Sequence, residues 1–459
     1  MRSDWKTYTL GELGPIKTGK TPPSSLGDSF GGTVPFVTPG DMNGQKWITN
    51  TDRQLNGNGL SAVGSSLMPA RSVAVSCIGS DMGKAVLLSK QSVTNQQINS
   101  ISVDESRFNA EFIYYNLSVR QKEFKLAASG SATPILNKGH FSKFEISVPP
   151  RAIQDKIAEI LGKLDAKIDL NRHINQTFEA MAQAIFKSWF IDFDPVKAKI
   201  AAIVEGRDPL RAAMSSISGK AEDELDALPP EQYEQLVATA ALFPDDMVES
   251  ELGEIPKGWA CGALGDICNF TAGNAFKPEY QGSTEGDHPF IKVSDMNLAG
   301  NEVFIQSANN YVSHSQQSAM KAKLHPIGAT VFAKIGVALV SNRRRLLTMP
   351  TIIDNNMMSA SPIEGKSEQY FLYSLLSTID FNTLVSGTAL PYLNVSDLKK
   401  IPIVRPQNDI YRTFESKATS IFSMMQALAA QSLTLTVTRD TLLPKLLSGE
   451  LETSETVEG

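Results

Sequence analysis

The sequence predicts an α/β protein built twice over: two tandem α/β domains, each followed by a long helix. Three observations carry that prediction. Blocks of the first 150 residues recur in the same order at offsets of 254 to 259. Each copy mixes short β-rich runs, such as SVAVSCI and ATVFAKI, with one evident helical stretch, AEFIYYNLSVRQKEFKLA and EQYFLYSLLSTIDFNTLV. Each copy also ends in an apolar strand and a proline exit, FEISVPP and IPIVRP, followed by apolar residues at heptad spacing. A repeat so much longer than the roughly 20–50 residues of a solenoid unit is a duplicated domain.

The first domain, 1–150, opens on Trp5 and Leu10-Gly11-Glu12-Leu13, and the second, 259–406, on Trp259 and Leu264-Gly265-Asp266-Ile267. Val34-Pro35-Phe36-Val37 and Asp41-Met42-Asn43 recur as His288-Pro289-Phe290-Ile291 and Asp295-Met296-Asn297. Further on, Cys77-Ile78-Gly79 faces Lys334-Ile335-Gly336, Asn95-Gln96-Gln97-Ile98 faces Asp354-Asn355-Asn356-Met357, and Phe112-Ile113-Tyr114 faces Phe371-Leu372-Tyr373. The segment from Ser129 to Asn137 matches the one from Ser386 to Asn394 as SGxxxPxLN.

After the first exit, over 151–192, Ile153, Ile157, Ile160, Leu164, Asn171, Ile174, Phe178, Met181 and Ile185 follow intervals of three and four. That spacing argues for a coiled-coil helix of about 40 residues and about 60 Å. The second, over 407–448, repeats it with Ile410, Phe414, Ile421, Met424, Leu428, Leu435 and Leu442, and a tail covers 449–459. Asn171 falls on the seam, where a buried amide commonly fixes register at some cost in stability; a slightly exposed interruption is the other reading. Between the first helix and the second domain, 193–258 is acidic and alanine-rich. It is expected to form a connector with short helices and no core of its own.

The formal net charge of −6 argues at first against a nucleic-acid partner, but it is unevenly spread. Residues 195–258 carry 6 Lys and Arg against 13 Asp and Glu, a net of −7, whereas residues 1–150 carry 15 against 11, a net of +4. The first domain therefore has room for a basic patch. No apolar run reaches the roughly 18 residues of a membrane span, and MRSDWKTYTL has no signal-peptide core, so a cytoplasmic protein without a membrane partner is expected. Cys77, Cys261 and Cys268 lack zinc-ligand spacing, and the five histidines are scattered, so no metal site is expected.

Gly14 to Thr21, GPIKTGKT, fits the phosphate-cradling pattern G-x-x-x-x-G-K-[ST]. Its context does not, because Pro22-Pro23 follows where a helix N-terminus should form. Its counterpart CNFTAGNA keeps only the second glycine, Gly273 beside Gly19, which points to a backbone requirement such as positive φ. The base-methylation signature also fails: TPPS, VPPR and LPPE lack the Asn or Asp and the aromatic residue that hold a flipped base. No set of convergent carboxylates for a two-metal nuclease is visible.

Together, the duplicated openings, the SGxxxPxLN segments, Phe186-Lys187-Ser188-Trp189-Phe190-Ile191-Asp192-Phe193-Asp194-Pro195 and the closing Leu442-Leu443-Pro444-Lys445-Leu446-Leu447-Ser448-Gly449-Glu450 resemble specificity subunits of type I restriction-modification systems. The resemblance covers essentially the whole chain. It implies two target-recognition domains, each reading half of a split, asymmetric sequence in double-stranded DNA, joined by helices that pair antiparallel as a ruler. It also implies two modification subunits that bind S-adenosylmethionine and methylate adenine, and restriction subunits that use ATP and magnesium. The chain itself would bind no cofactor and perform no catalysis.

Candidate DNA contacts are Lys84 in IGSDMGKAVLL and Arg343-Arg344-Arg345 in IGVALVSNRRRLL, corresponding strand-to-strand loops where Arg can bind guanine or neutralise phosphate. Lys20, Lys138, Asn137 and Asn394 are weaker candidates, since Asn at a turn often serves its backbone. Helix pairing is expected of Ile157, Leu164, Asn171, Phe178 and Ile185 with Phe414, Ile421, Leu428, Leu435 and Leu442. Two alternatives stay open at this point: a P-loop ATPase using GPIKTGKT, and a coiled-coil adaptor that binds only protein.

Overall fold

A computed structural model describes residues 4–79, 81–128, 134–387 and 391–451. The chain divides into two units. One runs through the first domain to Asp169 and takes in the chain from Thr434 onward; the other is Leu170–Leu433.

The first unit holds a five-stranded mixed sheet in the order Ile16–Thr18, Ile98–Ile101, Val73–Ser76, Ala85–Leu88, Trp47–Ile48. Only its last pair is parallel, with Trp47 opposite Leu87. A second sheet joins Arg53–Leu55, Phe30–Val37, Ser92–Thr94 and Leu67–Met68, and a two-stranded ribbon joins Lys6–Thr9 to Glu145–Val148. The strands of the five-stranded sheet are almost continuously apolar because it is covered on both faces: Val73, Val75 and Leu87 face one buried cluster, and Ala74, Val86, Leu88 and Ile98 another. Helix Ala110–Ser118 closes the first cluster, capped by the Asn109 side chain, which accepts from the N–H groups of Glu111 and Phe112.

The second unit repeats the topology, except that the four-stranded sheet becomes three-stranded, with an isolated bridge between His325 and Thr351 where Leu67–Met68 pairs in the first. Its five-stranded sheet runs Cys268–Ala272, Met357–Pro362, Thr330–Ala333, Arg345–Leu347, Phe304–Ile305, again with a parallel last pair, Phe304 opposite Leu346. The smaller sheets recur as Tyr311–Val312, His288–Ile291, Ile352–Ile353 and as the ribbon Ala260–Ala263 with Pro402–Arg405. Even a turn glycine has its counterpart. Arg71 (φ 64°) and Gly328 (φ 77°) hold the same left-handed position, each donating its N–H to the corresponding carbonyl, Leu88 or Leu347.

Two 40-residue helices, Arg151–Phe190 and Asn408–Leu447, follow the two domains. Their buried faces lie about one residue beyond the seam read from the large aliphatics. On the first helix Ile157, Leu161, Asp165, Ile168, Asn171, Ala182 and Phe186 are buried, whereas Leu164, Phe178 and Ile185 are half-buried and Met181 is exposed. On the second, Phe414, Ala418, Phe422, Met425, Ala429, Ser432, Leu443 and Leu446 are buried, while Ile421, Leu428, Leu435 and Leu442 flank them and Met424 is exposed. Asn171 is fully buried and donates to Gln431 Oε1 at 2.8 Å and Ser432 Oγ at 3.3 Å. In the first unit Asp165 pairs with Arg439 at 2.9 Å.

The ends of these helices explain two of the sequence phrases. Phe186, Trp189, Phe190 and Phe193 pack in one aromatic cluster with Trp259, Phe371 and Phe414. Leu443 and Leu446 enter the core of the first unit, where Gly449 (φ 71°) lies so close to Trp5 that a Cβ would stand 3.3 Å from the indole.

The connector departs from expectation. Helices Asp194–Val204, Pro209–Ser218 and Pro230–Ala241 enclose a small core of Ala213, Met214, Leu225, Leu236 and Ala240. Its acidic charge sits on the outer faces, where Arg211 grips Asp226 with both terminal guanidinium nitrogens, and small alanines let the helices close with a single aromatic residue, half-buried Tyr233, packed against the core. Among the described residues no helix is long and apolar enough to cross a membrane.

Candidate nucleic-acid interface

Antiparallel pairing brings three chain passages to one edge of each five-stranded sheet. In the first domain these are the exit of Ile16–Thr18 (Gly19, Lys20), the entry to Ile98–Ile101 (Gln96, Gln97), and the two described arms, Cys77–Gly79 and Asp81–Lys84, between Val73–Ser76 and Ala85–Leu88. The first arm is stitched to the SGxxxPxLN segment: Gly79 N–H donates to Pro134 O at 3.2 Å and Leu136 N–H to Cys77 O at 2.9 Å. The second domain makes the same two bonds, Gly336 to Pro391 at 2.8 Å and Leu393 to Lys334 at 2.9 Å. Residues 129–133 and 388–390 of those segments lie outside the described residues.

Within this frame the basic candidates part company. Lys84 is half-buried, with its Nζ 2.8 Å from Asp81. Arg343 is exposed beside a cavity of about 90 Å³ lined also by Met296, Asn297 and Ser341. Arg344 is turned into the fold, where its charge is taken up by internal partners. It is buried, its guanidinium donates to the carbonyls of Asn342 and Ile379 and lies 3.9 Å from the Phe381 ring centre, and burial pushes its pKa down to about 10. Arg345 opens a strand and donates to Met296 O at 3.2 and 3.3 Å and to Arg344 O at 2.7 Å, with burial lowering its pKa. Of the three arginines, only Arg343 offers its charge outward.

The asparagine candidates are caps. Asn137 Oδ1 accepts from His140 N–H at 2.9 Å and Asn394 Oδ1 from Ser396 N–H at 3.2 Å, each starting a short helix. Lys138 is exposed on the first of these, and exposed Lys20 reaches Ser65 Oγ at 3.3 Å.

GPIKTGKT has no phosphate cradle. Its centre, Ile16–Thr18, is a strand, no α-helix follows, and the N–H groups of Gly19 and Lys20 are already bonded to Ile98 O and Thr94 O. The reason for the glycine also differs from the expected positive φ. A Cβ on Gly19 would stand 2.1 Å from Thr94 O, and one on Gly273 1.9 Å from Asp354 O. Neither residue is in the left-handed region, so the requirement is close approach of two backbones. Cys77 and Cys268 are buried thiols pushed up to about 11 and about 12 by burial, and no group of three or more metal-ligating side chains occurs among the described residues.

The family signature for the type I restriction modification DNA specificity domain matches this chain twice, over residues 2–180 and 256–434, one match on each copy of the repeat. The chain belongs to that family of DNA-specificity subunits. It is 32% identical to the type I restriction enzyme HindI specificity subunit of Haemophilus influenzae, over 98% of this chain and all of that one. It is 25% identical to the MjaIX specificity subunit of Methanocaldococcus jannaschii, over 98% and 94%. The crystal structure of the S subunit from M. genitalium shares its fold, with a TM-score of 0.50 and 16% identity over 97% of both chains.

In this specificity subunit the same sheet edge displays polar groups that sequence reasoning passed over. Asn95 Oδ1 accepts from Gln97 N–H at 3.1 Å and Asp354 Oδ1 from Asn356 N–H at 2.8 Å, so each copy builds the same side-chain-to-backbone turn. The turns present Gln96 in one domain and Asn355 with Asn356 in the other. The signal was in the sequence, as the aligned NQQI and DNNM. It served there only to establish the repeat.

Proposed function

We propose that this specificity subunit reads a split, asymmetric sequence in double-stranded DNA, the first α/β domain reading one half and the second the other. The observation that carries this reading is the duplicated sheet edge: identical backbone stitching in both copies, with different exposed side chains on it. Exposed Lys20, Lys138 and Gln96 stand on the first edge beside half-buried Lys84, and exposed Arg343, Asn355 and Asn356 on the second. Arg and Lys neutralise phosphate or bind guanine, while Asn and Gln match the edge of adenine. Similar frames carrying different readers account for an asymmetric target.

The two long helices act as an antiparallel coiled-coil spacer between half-sites. Residue numbers that fall on one helix as they rise on the other support this pairing: Asp165 bonds Arg439, and Asn171 bonds Gln431 and Ser432. A helix of 40 residues spans about 60 Å, longer than the roughly 34 Å between successive major-groove faces and so long enough to bridge them. The chain supplies sequence choice and scaffolding. Two modification subunits, carrying S-adenosylmethionine, methylate adenine, and restriction subunits using ATP and magnesium complete the assembly.

Co-expression with the neighbouring modification subunit tests this. The complex is expected to co-purify and to methylate a two-part site. A chain that stays alone and leaves the choice of methylated sites unchanged refutes the reading. The adaptor alternative requires a complex whose specificity is indifferent to residues 1–150.

A further inference from the structure

The two domains sit on their helices through corresponding residues of opposite character. In the first unit Lys46, buried, bonds Glu111 at 2.6 Å and donates to the Tyr115 hydroxyl at 2.9 Å. Tyr115 donates to Asp165 Oδ2 at 2.5 Å, and Asp165 Oδ1 meets Arg439 at 2.9 Å. The chain of contacts thus runs from the domain's sheet and helix to the first long helix and on to the second.

The repeat locates the counterparts. Leu87 N–H bonds Lys46 O as Leu346 N–H bonds Val303 O, so Val303 replaces Lys46. Through Phe112-Ile113-Tyr114 and Phe371-Leu372-Tyr373, Tyr370 replaces Glu111 and Ser374 replaces Tyr115. On the two 40-residue helices, Phe422 stands for Asp165 and Ala182 for Arg439. There Phe422 is fully buried, stacked on Tyr370 at 4.4 Å and edge-on to Tyr373 at 5.6 Å. The polar ties described in that seat involve no ion pair: the Tyr373 hydroxyl donates to Glu179 at 2.6 Å, and the Glu415 carboxyl accepts from the N–H groups of Tyr370 at 3.1 Å and Phe371 at 2.8 Å.

A buried charge network tolerates few geometries, because each displaced partner leaves an unpaired charge, whereas an apolar contact is non-directional. We infer that the Lys46–Glu111–Tyr115–Asp165–Arg439 network is a polar seat holding the first domain at one angle on the long helices, so that Tyr115 and Asp165 are positioning residues for the spacing between the two DNA half-sites. The inference rests on the two-part reading proposed above. Burial and the neighbouring Asp165 carboxylate push the Tyr115 hydroxyl far above its ordinary range, so it remains a donor.

The test compares wild type, Tyr115→Phe, Asp165→Asn, the double variant and Tyr373→Phe, each as the full chain with its modification subunit. Adenine methylation is measured on DNA sites whose spacer is the wild-type length, one base pair shorter or one longer. Loss of a charge-assisted hydrogen bond is expected to raise methylation of the off-length sites about tenfold, with the half-site sequences unchanged and the double variant no looser than the worse single one. Tyr373→Phe is expected to keep strict spacing, because the aromatic seat remains. Should Asp165→Asn melt below the assay temperature, Tyr115→Phe, which loses one hydroxyl, decides. Strict spacing in folded Tyr115→Phe, or equal loosening by Tyr373→Phe, overturns the inference. A wild type that directs no two-part methylation instead overturns the function on which it rests.

Discussion

Single residues divide into those that hold the frame and those that face outward. Gly19→Ala and Gly273→Ala would each place a methyl group about 2 Å from a carbonyl oxygen. Each is expected to lower stability by about 1–3 kcal/mol, read as a fall in melting temperature. Arg344→Ala is expected to destabilise the fold through the lost carbonyl bonds, while Arg343→Ala and Lys84→Ala leave the melting temperature unchanged. The latter two should weaken DNA binding and reduce its salt slope by about one each. Burial pushes the Glu415 carboxyl from its ordinary 4.5 up to about 7, although the N–H groups of Tyr370 and Phe371 that it accepts pull the other way. Between those values the folded chain holds more protons than the unfolded one, so this group's contribution to stability falls as pH rises through the window. Glu415→Gln should therefore match wild type near pH 5 and melt higher near pH 8; a difference independent of pH would contradict the assignment. The sequence disclosed that one glycine survives in both copies and that three arginines adjoin. It did not disclose why, since close approach and guanidinium burial depend on chain passages some 75 residues away for Gly19 and 35 for Arg344.

Among elements, the helices were legible in length and period, but not in which face they bury. The seam was read from large aliphatics, whereas the buried positions include Ala158, Asp165, Ala182, Ala418, Ala429 and Ser432, which carry no hydrophobic signature. Leu164, Ile185, Ile421 and Leu428 consequently mark the flank, about one residue off. For Asn171 the sequence leaves a buried amide and an exposed interruption both open; the side chain is fully buried. At the corresponding position the second helix has Leu428. Asn171→Leu is expected to raise the melting temperature by a few degrees, as removal of a buried amide from a helix–helix contact usually does, with loss of its bonds to Gln431 and Ser432. The connector forms a core for a related reason: alanine, methionine and leucine close a small helical core that low aromatic content and clustered charge do not disclose.

For the whole molecule, the duplication was the most legible feature, because a register held across a domain leaves its trace in many short matches at once. The repeat also disposed of the most conspicuous motif: GPIKTGKT is a strand and a backbone crossing, and its glycine belongs to the frame that both domains share. What each domain reads was not legible, since base readout depends on how exposed groups such as Gln96, Arg343 and Asn355 meet a groove. The central claim is that the two domains read DNA independently from a common scaffold. The most direct measurement is methylome sequencing of cells carrying the modification subunit with this chain, and with a chimera whose residues 1–150 come from a relative of different specificity. The account expects a two-part motif in which one half changes and the other half stays. A motif unchanged by the exchange, or one altered in both halves, would contradict it.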